Sequence, residues 1–368
     1  MSQSRHAAMS SLAMIGAGAA VAIVPATLQA VGARLFTTDQ QAGIALAIGI
    51  GVFVSAVLNA VILEARLADP LIGVKSYLPI WATASGVVGG LLLIVAPTSP
   101  AFVSVAIPLI MTGLQLGRTH AITDHRWVSE LVTAAVLGVG CLTAFVVSSS
   151  AATLAVAILG GAVILAHAAR AVGAPHKVSK RPSVSRASWV GAETAVVAMM
   201  PLALNAIVLL AMSAADAVAF RLVLTVLGIL QPLLGYLRTR LLGHPSVRLT
   251  WVLSGMTTLA LVSVVVADLA GLFEFIFSDS WDAVPLGALV AACGWKAVSI
   301  PSTIPFASMR RKGLVREVFI ARSASTGIYL ALGSAAAFGT QSLTSVYIAF
   351  MVAELTTFAI YAFSNSRS

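Results

Sequence analysis

Apolar runs of about twenty residues follow one another along almost the whole chain, and this feature most limits the folds open to it. Of the 368 residues, 59% are hydrophobic and only 10% are charged. A soluble domain needs many more charged side chains, because water must solvate its exterior. The sequence therefore predicts a multi-pass membrane protein, for which lipid replaces water as the main solvent.

Twelve segments are long and apolar enough to be candidate membrane spans. No segment alternates polar and apolar residues as a barrel strand does, so every span is predicted to be a helix. The fold class is therefore an all-α integral membrane protein. The predicted spans are residues 8–33, 42–63, 77–97, 100–117, 127–148, 150–169, 188–212, 217–236, 250–270, 283–305, 318–338 and 342–363.

The cations predict the orientation of these spans. Nearly all of the 22 lysines and arginines lie at the two termini or in gaps that follow an even-numbered span; the exceptions are Arg34, Arg221, Lys296 and Arg322. By the positive-inside rule, both termini are predicted to be cytoplasmic. The protein is predicted to lie in the plasma (inner) membrane. The formal net charge of +9 is attributed to this orientation, and nucleic acid is not a predicted partner.

Two similar segments point to an internal duplication. Residues 21–30 and 197–206 share five of ten residues, including Pro25 and Pro201. Proline-interrupted apolar helices at corresponding places in two halves are typical of a transporter's substrate path.

The polar segment 170–187 is predicted to be a cytoplasmic linker between the halves. It separates an N-terminal six-helix bundle, residues 1–169, from a C-terminal six-helix bundle, residues 188–368. Because each half has an even number of spans, we expect a pseudo-two-fold axis along the membrane normal.

Each proline removes a backbone hydrogen bond, so Pro25 and Pro201 are predicted hinges. Gln29 and Asn205 follow one turn later on the same helix face. Such amides either bridge helices or bind a polar substrate.

Charges within spans are functional hypotheses by default. Lys296 and Glu354 lie near the middle of spans ten and twelve, and two interpretations stay open. They form an ion pair, or Lys296 contacts an anion in a water-filled cavity. Pro301 and Pro305 make the cytoplasmic end of span ten irregular.

The other intramembrane charges lie nearer to span ends. Arg34 and Arg221 either extend to the outer headgroups or form a cationic rim around a cavity. Glu130, Glu193 and His167 are predicted to lie at the cytoplasmic interface. Arg322 lies in the cytoplasmic third of its span and is also expected to reach the headgroups.

Enzyme signatures are missing from the sequence. It has no glycine-rich phosphate loop and no cluster of metal ligands, and Cys141 and Cys293 lie singly in apolar runs. The prediction is a protein that is not an enzyme and that holds neither a cofactor nor a metal.

Three local patterns carry a resemblance to a known superfamily: the segments Phe36–Gly43, Gln115–Arg118 and Ala219–Pro232. With the twelve-span layout, they resemble the multidrug/oligosaccharidyl-lipid/polysaccharide (MOP) exporter superfamily, and within it the polysaccharide-type flippases. The resemblance implies a V-shaped bundle whose internal cavity opens alternately to each side. It also implies a cationic cavity for the diphosphate and sugars of a polyprenyl-linked oligosaccharide. The substrate-binding residues implied are Arg34, Arg221, Lys296, Gln29 and Asn205.

Three functions follow as hypotheses. The first is a flippase for a lipid-linked oligosaccharide or polysaccharide precursor, with membrane lipids and a glycan polymerase or glycosyltransferase machinery as partners. The second is an ion-coupled drug or metabolite antiporter of the same superfamily, with Glu354 or Glu193 as the coupling acid. The third is a membrane glycan polymerase or ligase, which would have to use the acids of a short outer loop, Glu274, Asp279 and Asp282.

Overall fold

The computed structural model describes residues 3–61, 78–124, 126–171, 184–228, 247–312 and 314–366. All regular secondary structure in these ranges is helical. The helices are α1 (Gln3–Leu35), α2 (Thr38–Asn59), α3 (Leu78–Val95), α4 (Pro100–Thr123), α5 (Trp127–Ser148), α6 (Ala152–Ala171), α7 (Val184–Ala211), α8 (Ala214–Gly228), α9 (Val247–Leu269), α10 (Leu272–Phe277), α11 (Leu286–Arg311), α12 (Val315–Thr340) and α13 (Leu343–Ser366).

Each predicted span overlaps one long helix, so the all-helical prediction is confirmed. The short α10 was not predicted. In the described residues, seven helices are long and apolar enough to cross a membrane, or eight if α9 and α10 together count as one bent span. The total of twelve spans stays a prediction.

The described residues form two compact units that divide between Ala198 and Met199, within α7. We call them unit 1 and unit 2. Residues 172–183 of the predicted linker lie outside the described residues. Helix α6 continues to Ala171, so Arg170 belongs to this helix and not to a linker.

In unit 1, small residues allow helices α3 and α6 to approach closely. A Cβ atom on Gly160 would lie 2.5 Å from the carbonyl oxygen of Gly90, and a Cβ on Gly90 would lie 2.7 Å from that of Gly160. Such backbone contact between apolar helices relies on glycine, because lipid provides no hydrophobic drive for association. Packing in this unit is therefore sensitive to the smallest added side chain.

In unit 2, helices α11, α12 and α13 pack around buried aromatic rings. The rings are Phe220, Trp295, Tyr329, Tyr347 and Phe350. The ring of Phe220 stacks on that of Tyr347 at 5.5 Å, and the ring of Trp295 meets that of Phe350 edge-on at 5.2 Å. These contacts fix the rotation of α13 about its own axis, and with it the position of every side chain on that helix.

Helices α9 and α10 meet at an angle of 71°. Gly271 lies between them with a φ of 74°, in the left-handed region that favours glycine. The indole N–H of Trp281 donates to Asp268 at 2.6 Å and closes the bend. The three acids of the polymerase hypothesis lie at this turn and are exposed: Glu274, Asp279 and Asp282.

Candidate functional site

A buried carboxylate lies in the middle of α13. Glu354 is only 7% exposed, and its Oε1 accepts a hydrogen bond of 2.5 Å from the hydroxyl of Ser302 on α11. Its Oε2 accepts a hydrogen bond from the hydroxyl of Tyr329 on α12. The indole N–H of Trp295 donates to the same tyrosine oxygen at 2.7 Å. We call these four residues the carboxylate cluster.

The fold positions Glu354 through its apolar neighbours. Tyr347, Phe350, Glu354 and Tyr361 are all buried and follow one another at spacings of three, four and seven residues along α13. This spacing is that of one helix face. The carboxylate is therefore held in the core face of α13 by the aromatic residues beside it.

An ion pair between Glu354 and Lys296 was one of the two interpretations left open, and it is not among the contacts of Glu354 with the described residues. Among the described residues, the polar contacts of Glu354 are the hydroxyls of Ser302 and Tyr329. The ammonium of Lys296 lies 3.9 Å from the ring centroid of Trp295 instead. Lys296 thus contacts the edge of the carboxylate cluster through a cation–π interaction.

Arg221 is buried on α8, at 7% exposure. Its Nε has no hydrogen-bond partner in the described part of the chain, and Tyr347 is near enough to interact electrostatically with it. One turn further, the hydroxyl of Thr225 is also without a partner in these residues. A guanidinium N–H of this kind can form a charge-assisted hydrogen bond with an anion.

The two amides that follow the prolines are also buried. Neither polar atom of the Asn205 side chain has a hydrogen-bond partner in the ranges described, and the same holds for Oε1 of Gln29. Asn205 belongs to unit 2 and Gln29 to unit 1. The predicted hinges Pro25 and Pro201 both lie inside a helix, α1 and α7 respectively.

Arg34 connects two helices of unit 1. Its Nη1 donates to the hydroxyl of Ser148 at 2.5 Å, and its guanidinium carbon lies 5.1 Å from the ring centroid of Phe145. The last turn of α1 is thereby joined to the last turn of α5. Arg34 has a packing role that the sequence did not suggest.

Glu130, predicted to lie at the cytoplasmic interface, is in the first turn of α5 and has a fully buried side chain. The guanidinium of Arg170 donates to Oε1 at 2.6 Å and to Oε2 at 2.9 Å. Arg170 also donates to the carbonyl oxygen of Leu114 at 3.0 Å. Helices α4, α5 and α6 thus meet at one ion pair.

Glu193 and His167 were expected at the same interface, yet both are buried. The imidazole of His167 fills the space beside Gly86, where a Cβ atom would collide with it.

The neutral members of the carboxylate cluster were not predicted from the sequence: Trp295, Ser302 and Tyr329. The sequence did contain one indication: each of the three lies within a predicted span and has a side chain that can form a hydrogen bond. Their significance depends on the rotation of three helices, which the sequence does not specify.

These observations define a class: a multi-pass helical membrane protein with ionisable groups buried among its helices, as is typical of transporters. The fold is similar to that of several solved transporter structures. The inward-facing conformation of a multidrug resistance MATE family transporter of the MOP superfamily is 14% identical, with a TM-score of 0.51 over 97% of this chain and 94% of that chain. The outward-facing conformation of such a transporter is 14% identical, with a TM-score of 0.50 over 98% and 95%.

A MOP superfamily transporter from Pyrococcus furiosus is similar to the same degree, at 14% identity and a TM-score of 0.51 over 98% of this chain and 95% of that chain. No protein-family model matches the sequence. No curated protein matches it either. The similarity thus shows a MATE-like transporter fold.

Proposed function

We propose that this protein is a proton-coupled antiporter that exports a drug or metabolite, with Glu354 as the residue that binds the proton. The observation that carries the proposal is the pair of contacts made by Glu354. Its two oxygens accept hydrogen bonds only from the neutral hydroxyls of Ser302 and Tyr329, within the described residues.

An ionised carboxylate is costly in a low dielectric unless a cation or a proton neutralises it. The hydroxyls of Ser302 and Tyr329 stabilise the charged form of Glu354 without cancelling its charge. Uptake of one proton cancels it. Coupling to a proton gradient requires a group that binds a proton in one part of the transport cycle and releases it in another.

A second buried carboxylate, that of Glu130 in unit 1, differs from Glu354 in its partner, and this difference supports the choice of Glu354. The buried carboxylate of Glu130 is paired with Arg170 through two hydrogen bonds. Its charge is already neutralised, so it has no need of a proton. Glu193, the other acid considered for coupling, is buried in the first half of α7 and is the second choice.

The fold supports exchange by alternating access. The solved structures that it resembles include MATE transporters in inward-facing and outward-facing conformations. Pro25 and Pro201 interrupt the hydrogen bonding of α1 and α7, and such interruptions let a helix bend without unfolding. We infer that these prolines are the hinges of the transport cycle.

The proposal is tested in liposomes that contain the purified protein and carry a pH gradient. Ethidium, a fluorescent lipophilic cation, is the substrate probe, and proton movement is followed in parallel with a pH-sensitive dye. We expect the wild type to exchange ethidium for protons and Glu354→Gln to fall to the level of protein-free liposomes. The matched control is Glu317→Gln, which removes an exposed carboxylate from the same unit.

Undiminished ethidium–proton exchange by the Glu354→Gln variant would overturn the assignment. A sodium gradient at constant pH is the second arm. Exchange driven by sodium and not by protons would contradict the choice of coupling ion.

A second candidate is the flipping of a polyprenyl-diphosphate-linked oligosaccharide, and the buried Arg221 favours it. A guanidinium in low dielectric attracts a diphosphate strongly. The Pyrococcus furiosus transporter is described as having a binding pocket of reverse polarity that suggests a different function. This candidate is tested by flipping of a fluorescent polyprenyl-diphosphate oligosaccharide in the same liposomes, with Arg221→Ala against the exposed Arg316→Ala as control.

A further inference from the structure

The hydroxyl of Ser302 lies within hydrogen-bond distance of two acceptors. One is Oε1 of Glu354 at 2.5 Å, and the other is the backbone carbonyl oxygen of Ser299, one turn earlier on α11, at 2.8 Å. A hydroxyl has a single hydrogen and can donate to only one of them at a time. Which acceptor receives it depends on the protonation state of Glu354.

When Glu354 is ionised, both of its oxygens can only accept, so Ser302 donates to Oε1 and Tyr329 donates to Oε2. When a proton from water binds Oε1, the new O–H can donate to the oxygen of Ser302. The hydrogen of Ser302 then turns to the carbonyl of Ser299. Every donor has an acceptor in both states, and the only net change is the one proton gained.

The backbone at this place in α11 is already weakened. Pro301 and Pro305 have no N–H, so the carbonyls of Ala297 and Pro301 lack their usual helical partners. Ser302 lies between the two prolines. A serine hydroxyl that bonds to a carbonyl of the preceding turn tends to bend a helix.

We propose that Ser302 is a positioning residue that converts proton binding at Glu354 into a change in the bend of α11. The proposal rests on the proposed function, since it assumes that Glu354 is the group that takes up the proton. The movement of one hydrogen, between a side chain and a backbone carbonyl, links the chemistry of α13 to the proline-interrupted segment of α11.

Several other ionisable groups lie near Glu354, and their contacts differ from those of Ser302. Tyr329 contacts the second oxygen, and Trp295 fixes that tyrosine from the far side. Tyr361 lies two turns along α13, near enough to interact electrostatically with Glu354, and Arg322 is hydrogen-bonded to Tyr361. Lys296 lies over Trp295. Ser302 differs from them because its hydroxyl is within hydrogen-bond distance both of Glu354 and of a backbone carbonyl in its own helix.

The test is infrared difference spectroscopy of the purified full-length protein during a pH titration. Protonation of Glu354 gives a carboxylic C=O band that Glu354→Gln removes. This band moves to higher frequency when the carboxyl group loses a hydrogen-bond partner. We expect Ser302→Ala to keep the band but shift it upward, and to abolish proton-driven ethidium exchange.

Two matched variants separate the hydroxyl from packing. Ser302→Thr keeps the hydroxyl and should restore both the band position and exchange, whereas Ser302→Val, of nearly the same shape, should not. Ser299→Ala removes a hydroxyl from the same helix, one that donates to the carbonyl of Lys296, and should resemble the wild type. Gel filtration checks that each variant is folded. If Ser302→Ala does not fold, the comparison of Ser302→Thr with Ser302→Val still tests the role of the hydroxyl.

The outcomes distinguish the two proposals. If Glu354→Gln removes neither the band nor the exchange, the proposed function fails. If Glu354→Gln removes both while Ser302→Val leaves the band position and the exchange unchanged, the role of Ser302 is overturned and that of Glu354 stands.

Discussion

Arg170 and Glu130 form a doubly hydrogen-bonded ion pair in unit 1, with Nε to Oε1 at 2.6 Å and Nη2 to Oε2 at 2.9 Å. Glu354 in unit 2 is also buried, but its two oxygens accept from neutral hydroxyls. The first carboxylate is therefore paired with a cation, and the second is hydrogen-bonded to neutral groups only, within the described residues. Removal of the first should affect folding, and removal of the second should affect transport.

The Glu130–Arg170 pair gives the first prediction. Glu130→Gln leaves the buried guanidinium of Arg170 without a counter-charge, which should destabilise the protein by about 3–5 kcal/mol. Thermal unfolding in detergent measures the loss, with the exposed Glu317→Gln as control. Replacing Glu130 and Arg170 together by Met should recover much of the stability, because well-packed apolar side chains often substitute for a buried pair. A melting temperature unchanged by Glu130→Gln would contradict this account.

The contact between α3 and α6 gives the second prediction. Gly160→Ala places a methyl group 2.5 Å from the carbonyl oxygen of Gly90, so the helices must move apart. We expect a loss of about 1–3 kcal/mol, as for other overpacked sites. Gly161→Ala is the matched control, since its added Cβ meets nothing within 4 Å. Equal melting temperatures for the two variants would show that the helices are not in backbone contact.

The third prediction concerns Gly86 and His167. Gly86→Ala alone should destabilise the protein, because its Cβ atom collides with the imidazole of His167. His167→Ala alone leaves a void. In the double variant the new methyl group occupies part of that void, so the two effects should not add. A double-mutant cycle by thermal unfolding should give a coupling of about 0.5–3 kcal/mol, and simple additivity would refute the contact.

The fourth prediction tests the hinge in α1. Pro25→Ala restores a backbone N–H that can donate to the carbonyl of Val21, which removes the interruption of the helix. We expect unchanged or higher thermal stability together with slower ethidium exchange in liposomes. Pro108→Ala is the comparison, because it changes a proline inside α4, a helix with no predicted hinge. Equal slowing by both variants would argue against a specific role for Pro25.

The sequence predicted the helices well, because an apolar run of span length has few alternatives in a membrane. It could not predict which face of each helix is buried. In α5, Leu137 is fully buried whereas Val139, two residues later, is 67% exposed. Lipid and protein core are equally apolar, so hydropathy does not separate the two environments.

The same limit applies at the candidate site. An ion pair between Lys296 and Glu354 was one of two interpretations because the residues lie at similar depth, but depth does not specify the direction of a side chain around its helix. The neutral partners of Glu354 come from two other helices, through Ser302 and Tyr329, and carry no charge pattern that a sequence could reveal. Charge placement therefore identified Glu354 as a buried acid without identifying its contacts.

The burial of Glu354 among neutral hydroxyls has a consequence for protein engineering. A buried carboxylate lowers the stability of the folded state whenever it is ionised, and Glu354→Gln removes that cost. Selection for thermostable variants, a common step before structure determination of membrane proteins, would thus favour loss of this carboxylate. A stabilised form of this protein is best checked for Glu354 before any conclusion is drawn about what it transports.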